Sequence, residues 1–486
     1  MAAVCVMVLG TSSGAGKSWI TTALCRYYAN QGLKVAPFKA QNMSNNARVV
    51  DAGGGEGEIG SAQYFQALAA RAIPSVQMNP VLLKPEADTR SQVVVMGRVD
   101  SVLSNTPWRE RSEKLWPSIQ TALDRLIESY DVVVIEGAGS PAEINLMASD
   151  IVNLRVARYA NAKCLLVTDI DRGGAFAHLY GTWALLDKPD QQLIAGFVLN
   201  KFRGDAALLA PAPEMLEGMT GIPVVATIPM LRAHGLPEED GVFDDRQSDS
   251  VVGAIQVGVV AYPRMSNLDE FESLKNAENV KLIWAREPQD LLNVDWIILP
   301  GSKHTSSDLD WLRAQGLDKV ICNHALAGKP VLGICGGLQM LGSGLCDPYG
   351  IDGSRRGLNL LSLDTVFEQN KTVKKTQAQF TSIEGAWSFL SKLPVSGYEI
   401  HHGETTQICS TGDAAQLVEI IPEIAWLNSA GNVMGIYLHG MFENADVMEA
   451  AFHDTSGTLD AVFEKLASHF VNNADPGLLD SLVYKT

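Results

Sequence analysis

The sequence predicts an α/β chain of two domains, the first a doubly wound sheet and the second a further α/β unit. Three observations carry that prediction. Over residues 3–235, apolar runs of strand length alternate with longer helical stretches, the pattern of a mostly parallel sheet covered on both faces. Residues 235–252, GLPEEDGVFDDRQSDSVV, then break the pattern with an acidic, polar stretch poor in large aliphatics, as a linker does. Beyond it the strand-length runs resume, and 486 residues are too many for one compact core. The expected division is 1–235, a linker over 236–252, and 253–486.

The first expected strand, Val4–Leu9, leads into LGTSSGAGKSWITTAL, where Ile20, Ala23, Leu24 and Tyr27 have helical spacing. The apolar start lacks a basic n-region, so it reads as a core strand rather than a signal peptide. Further strands are expected at Val132–Ile135, Cys164–Thr168, Ile194–Leu199 and Val224–Ile228. After the linker, Val257–Ala261, Lys281–Trp284, Trp296–Leu299, Val331–Ile334 and Gly435–Leu438 are the short apolar runs of the second sheet.

A glycine-rich turn between a strand and a helix is the setting of a phosphate loop. Backbone N–H groups of Gly10, Thr11, Gly14 and Gly16, with the positive helix end, would wrap the phosphates of ATP. Lys17 would reach the β- and γ-phosphates, and Ser18 would hold Mg²⁺. Glu136 ends the strand in DVVVIEGAGS, where an acid binds Mg²⁺ directly or through water. Glu58, in GEIGSAQ, is a second candidate metal ligand, and Lys39, in VAPFKAQN, follows the second strand towards the phosphates. Taken singly, each of these two is more often a solvated surface charge. Asn200 and Lys201, at the end of a strand in VLNKFRGD, serve either as polar strand ends or as readers of an adenine ring. Asp150 and Asp171 lie in apolar surroundings, where a structural ion pair explains them as well as a substrate contact does.

In the second half, VLGICGGLQML sets Cys335 between a short strand and a helix, with Gly333, Gly336 and Gly337 permitting a tight turn. This is a nucleophile elbow with cysteine in place of serine. The thiol would stand at the tip of the turn, with the N–H after the nucleophile placed for an oxyanion. A cysteine nucleophile needs a base, and MGIYLHGMFE offers His439 directly after a strand. Gly301 and Ser302, in ILPGSKHT, would complete the oxyanion hole from a third strand end. The remaining cysteines have no such surroundings and read as core.

Bulk properties narrow the class. A net charge of −17 argues against non-specific nucleic-acid binding. No apolar run is long enough to span a bilayer, so no membrane association is expected. Seven cysteines without CxxC pairs indicate neither a disulfide framework nor a zinc site, and reduced thiols in the cytoplasm are the simpler expectation.

Taken together, GTSSGAGKS, VAPFKAQNMSNNARVV, GEIGSAQ, MNPVLLKP, EGAGSPAEINL, DIDRGG, LPGSKHT, GICGGLQMLG, GYEIHHGET and YLHGMFE span nearly the whole chain. On these stretches the sequence resembles the cobyric acid synthase family, the glutamine-dependent amidotransferases of cobalamin biosynthesis. The five residues between Gly10 and Gly16 also match the longer phosphate loop of dethiobiotin synthetase-like ATPases. The resemblance implies a dethiobiotin synthetase-like P-loop amidoligase domain followed by a class I glutamine amidotransferase domain. It implies amidation of the b, d, e and g carboxylates of (adenosyl)cobyrinic acid a,c-diamide, with ATP, glutamine and a corrinoid polycarboxylate as small-molecule substrates.

Many class I glutaminases carry Glu two residues after the catalytic His, but Met441 stands there, as the resembled branch implies. Glu443 and Glu399 are the candidates left for orienting His439, and slow glutamine turnover is expected without a strong carboxylate. Arg90, Arg172 and Lys84 are candidates for the corrinoid carboxylates. Two other readings compete. One is cobyrinic acid a,c-diamide synthase, of the same build; the other is a nucleotide-switched ATPase with a non-catalytic glutaminase-like domain.

Overall fold

The computed structural model describes residues 2–87, 90–231, 234–236, 253–408, 417–454 and 459–484. The expected linker therefore lies, apart from Leu236, outside the described residues, as does the Arg90 side chain.

Six parallel strands form the first sheet, in the spatial order Val224–Pro229, Ile194–Phe202, Lys163–Asp169, Val4–Gly10, Val132–Glu136 and Val35–Phe38. Val6, Val8, Val133, Val134, Leu165 and Leu166 are all fully buried, because helices cover both faces and each strand is a nearly continuous apolar run. Val4–Gly10 lies in the middle, so its carboxyl end opens between the ends of Val132–Glu136 and Lys163–Asp169. Ligands of open α/β sheets bind in such a crevice.

The second sheet runs Val280–Ala285, Ile255–Val260, Trp296–Leu299, Val331–Ile334 and Val433–Ile436 in parallel, then adds Ala425–Leu427 and Val418–Ile421 antiparallel at one edge. The strand expected at Gly435–Leu438 begins and ends two residues earlier, at Val433–Ile436. Leu299, Ile334 and Ile436 sit on neighbouring strands, with Leu299 opposite Gly333 and Ile334 opposite Ile436. Among the described residues no helix is long and apolar enough to cross a membrane.

A long antiparallel hairpin, Leu363–Gln379 with Pro394–Gln407, leaves the second domain and reaches the first. Lys375 N donates to Glu56 Oε2 at 2.9 Å, and Lys371 Nζ donates to Glu58 Oε1 at 2.6 Å. Its EQNKTVKKTQAQ stretch is too polar to show as a strand in the hydrophobic pattern.

The boundary at 253–486 needs correction at its end. Helices Leu459–Val471 and Pro476–Val483 pack on the first domain, burying Phe463, Leu466, Phe470, Leu479 and Leu482 with Ile20, Ala23 and Leu24 of helix Lys17–Asn30. Polar contacts fasten the same surface: Arg26 bonds Asp460 at 2.6 Å, and Tyr28 Oη donates to the Leu479 carbonyl at 3.0 Å. Periodicity shows that such a helix has an apolar face but not which domain supplies the surface it covers.

Candidate active site

At the end of Val4–Gly10 the chain turns through Gly14 and Gly16, both in the left-handed region at φ 72° and 103°. A Cβ at Gly16 would stand 2.1 Å from Asn200 Nδ2, so this turn admits only glycine. Asn200 Nδ2 donates to the Ala15 carbonyl at 2.8 Å, and Lys201 Nζ donates to the Gly14 carbonyl at 2.8 Å. The polar residues at this strand end thus hold the backbone of the loop. Thr11 Oγ1 donates to Thr168 Oγ1 at 3.0 Å, and Lys17 Nζ bonds the carbonyls of Ser12 and Gly139 at 3.0 and 3.1 Å.

Glu136 is the hub beneath this loop. Its Oε1 accepts from Ser18 Oγ at 2.9 Å and Lys39 Nζ at 3.0 Å, and its Oε2 accepts from Gln66 Nε2 at 2.6 Å. Burial pushes its carboxyl up, yet Lys39, Gln66 and Ser18 outweigh that and hold it below the usual carboxylate range. Gln66 is a member of this group that the sequence reading missed; its one signal is an amide inside the apolar helix Ser61–Ala69.

Glu58 is not brought to this group in any described contact. Its carboxylate is ion-paired with Lys84 and, at 2.6 Å, with Lys371 of the hairpin. Burial raises its pKa, but the two lysines prevail and keep it ionised, well below its ordinary value. Among the described residues no three His, Cys, Asp or Glu side chains cluster as metal ligands. Ser18 and Glu136 do offer adjacent oxygens, the donor chemistry that Mg²⁺ takes when phosphates complete its shell.

Asp150 and Asp171 both have partners within the chain. Asp150 accepts from the backbone of Val152, Asn153 and Leu154 at 2.9 to 3.1 Å, and Asp171 pairs with Arg203. Arg172 is exposed beside Asp169, whereas Lys84 is buried against Glu58.

In the second domain, Cys335 has φ 53° and ψ −106°, a strained conformation between strand Val331–Ile334 and helix Gly336–Leu341. The turn after it packs closely on the neighbouring strand: a Cβ on Gly337 would lie 1.9 Å from the Leu299 carbonyl oxygen. One on Gly336 would lie 2.8 Å from Ser302 N, so the Gly301–Ser302 turn borders the nucleophile as expected for an oxyanion hole. A Cβ on Gly301 would in turn meet His439 Cε1 at 2.8 Å. Three adjacent strand ends thus bring Cys335, His439 and the Gly301–Ser302 turn together.

Neither Glu443 nor Glu399 orients His439. Its Nδ1 bonds Glu270 Oε1 at 3.1 Å, while Glu270 Oε2 accepts from Gly440 N at 3.2 Å. Glu443 pairs with Arg48 instead, and Glu399 bonds Thr376 at 2.6 Å and Lys374 at 3.2 Å. Both Glu270 and His439 are completely buried. Burial alone pushes the imidazole down, but Glu270 and Cys335 outweigh it and carry its pKa to about 10. The Cys335 thiol itself donates to the Ile400 carbonyl, Sγ to O at 3.5 Å. Glu270 escaped the sequence reading because SNLDEFESL looks like the acidic first turn of any helix.

Comparison with known proteins gives two domain families and full-length relatives. Residues 6–240 match the CobQ/CobB/MinD/ParA nucleotide binding domain, and residues 256–447 match the CobB/CobQ-like glutamine amidotransferase domain. The cobyric acid synthase of Acidovorax ebreus (strain TPSY) is 65% identical, with 99% of each chain covered. That of Variovorax paradoxus (strain S110) is also 65% identical over 99% of both chains. That of Polaromonas naphthalenivorans (strain CJ2) is 62% identical, covering 99% of this chain and 100% of its own.

Proposed function

The chain belongs to the cobyric acid synthase family of glutamine-dependent ligases, and from that premise we propose the reaction and the residues that perform it. The substrate is (adenosyl)cobyrinic acid a,c-diamide, whose b, d, e and g carboxylates are amidated at the expense of ATP and glutamine. The observation that carries this reading is the pairing of two complete sites in one chain. A phosphate loop is braced on Glu136, and a strained Cys335 stands beside a His439 held by Glu270.

In the first site the loop amides and Lys17 hold the ATP phosphates, and a substrate carboxylate oxygen attacks the γ-phosphorus. The bond to the β-phosphate oxygen breaks, leaving ADP and an acyl phosphate. Ser18 and Glu136 would hold Mg²⁺, which when bound supplies neutralising charge along the phosphates.

In the second site the Cys335 sulfur attacks the amide carbon of glutamine. Backbone amides around Gly336 and Ser302 stabilise the oxyanion, and His439 gives its proton to the departing nitrogen. Ammonia leaves, and water, deprotonated by His439, releases glutamate from the thioester. At the first site ammonia displaces phosphate from the acyl phosphate, forming the amide. A shielded path between the sites keeps ammonia neutral and therefore nucleophilic.

The test is mass analysis of cobyrinic acid a,c-diamide incubated with ATP, Mg²⁺ and either glutamine or ammonia, using wild type and Cys335→Ala. Stepwise conversion of acid to amide is expected, with the variant active on ammonia alone. No mass change with either donor would overturn the substrate assignment. Conversion of cobyrinic acid itself, and not of its a,c-diamide, would assign the earlier step.

A further inference from the structure

The stretch NMSNNARVV belongs to the first domain but makes its closest polar contacts with the second. Ala47 N donates to Asn267 Oδ1 at 3.1 Å, and Leu268 N donates to Asn46 Oδ1 at 3.0 Å. Beside them Arg48, on strand Ala47–Asp51, points its guanidinium into the domain interface and is only 2% exposed.

That guanidinium bridges two acidic segments of the glutaminase. Nε donates to Asp269 Oδ2 at 2.7 Å, and Nη1 donates to Glu443 Oε2 at 2.8 Å. Asp269 is the residue before Glu270, and Glu443 lies four residues after His439. The arginine therefore ties together the two backbone segments whose side chains form the 3.1 Å Glu270–His439 bond. It also lies over the Tyr398 ring, 5.0 Å from its centroid, and that ring stacks on His439 at 5.3 Å and 20°. Tyr398 and His439 further exchange both backbone N–H···O bonds, at 3.2 and 2.9 Å. Arg48 thus bears on the imidazole by two routes, through its flanking carboxylates and through the stacked ring.

We propose that Arg48 is a positioning residue of the glutaminase, supplied by the amidoligase domain, which sets the Glu270–His439 pair for attack by Cys335. This rests on the glutaminase reading of Cys335 and His439 given above. Only arginine suits the task. A planar fork of donors holds two carboxylates at once while its flat face lies on aromatic rings, and a lysine point charge does one of these at a time. The arrangement has a functional consequence: the base is correctly held only when the domains are docked. Glutamine is then hydrolysed only where its ammonia has an acceptor site to reach.

The test compares wild type with Arg48→Met, which keeps the stem and removes the charge, and with Arg48→Lys. Glutamate release from glutamine is measured beside amidation driven by added ammonia. Arg48→Met is expected to lower kcat for glutamate release ~10- to 100-fold, the range seen when groups that orient a reacting ligand are removed. The KM for glutamine and the ammonia-driven rate should stay at wild-type values, because the described polar partners of Arg48 are Asp269 and Glu443, and neither Cys335 nor the phosphate loop is among them. Arg48→Lys, which retains a charge in the interface, should recover part of kcat, and it carries the same test should Arg48→Met fail to fold. Wild-type kcat in folded Arg48→Met, or in Arg48→Lys where Arg48→Met does not fold, would overturn the proposal, as would an equal fall in the ammonia-driven rate. Absence of Cys335-dependent glutamate release from wild type would instead remove the glutaminase reading, and this inference with it.

Discussion

Glu270 Oε1 lies 3.1 Å from His439 Nδ1, and this contact gives the imidazole a carboxylate partner that the sequence after His439 does not contain. Met441 occupies the place where many class I glutaminases carry the orienting acid. The carboxylate arrives instead from the turn Leu268–Phe271, early in the second domain, with its second oxygen fixed by Gly440 N. Slow turnover for want of a carboxylate is therefore not what this geometry implies. A buried acid holds the imidazole in one orientation and supports its protonated form, the two services a triad acid performs.

Replacing Glu270 with Gln keeps the shape but removes the charge. Glutamate release should fall about 10²- to 10⁴-fold, as when the acid of a triad is made an amide. Ammonia-driven amidation should persist, because the phosphate-loop site is separate. Steady-state assays of both reactions check this, and near-normal glutamate release from the variant would assign the orienting role elsewhere.

The same contact predicts a pH dependence of stability. His439 titrates in the fold at about 10, against an ordinary 6.5. Burial opposes the rise, and Glu270 and Cys335 produce it. The folded state thus binds the proton more tightly than the unfolded chain, so this stabilisation is complete below the unfolded value. It declines as pH rises from about 6.5 through about 10, where both states have lost the proton. The difference in unfolding free energy between wild type and His439→Gln should therefore shrink across that range, by an amount on the order of a few kcal/mol. Denaturant unfolding of both proteins at stepped pH measures it. A difference that grows with pH would show that the buried imidazole is neutral.

Much of this was legible in the sequence because strand-end chemistry announces itself. LGTSSGAGKS and VLGICGGLQML each combine an apolar strand, strained glycines and one reactive side chain, and parallel strands bring such ends to one edge. Less visible were the residues that act across distance. Gln66, Glu270 and Arg48 each look like ordinary members of their own segment, and only the tertiary fold shows what they face. Glu58 illustrates the converse. In sequence the acid of GEIGSAQ reads as a candidate metal ligand, yet Lys84 and a lysine 313 positions away bond both of its oxygens. The charged hairpin that brings Lys371 there is stabilised by pairing and docking rather than by an apolar stripe, so periodicity carries no trace of it.

The docking of the last two helices makes a prediction about which domain they support. Phe463 is buried between helix Lys17–Asn30 and its own helix, with the Arg26 guanidinium over its ring, 5.5 Å from the centroid. Removing that ring in Phe463→Ala leaves a cavity against the helix that begins at Lys17, and should destabilise the fold by about 3 to 5 kcal/mol. The loss should reach the phosphate loop first, because Lys17 and Ser18 form the first turn of that helix. Cys335 lies on the other sheet and makes no contact with Phe463 in the apolar core. Nucleotide binding and the rate of Cys335 alkylation by a glutamine-like electrophile, followed over a temperature series, separate the two. In Phe463→Ala, nucleotide binding should fail at a lower temperature than in wild type, and before alkylation fails. Parallel failure of both would mean that the helices support the two domains alike. Unchanged nucleotide binding would return them to the glutaminase domain, where their position in the chain alone would put them.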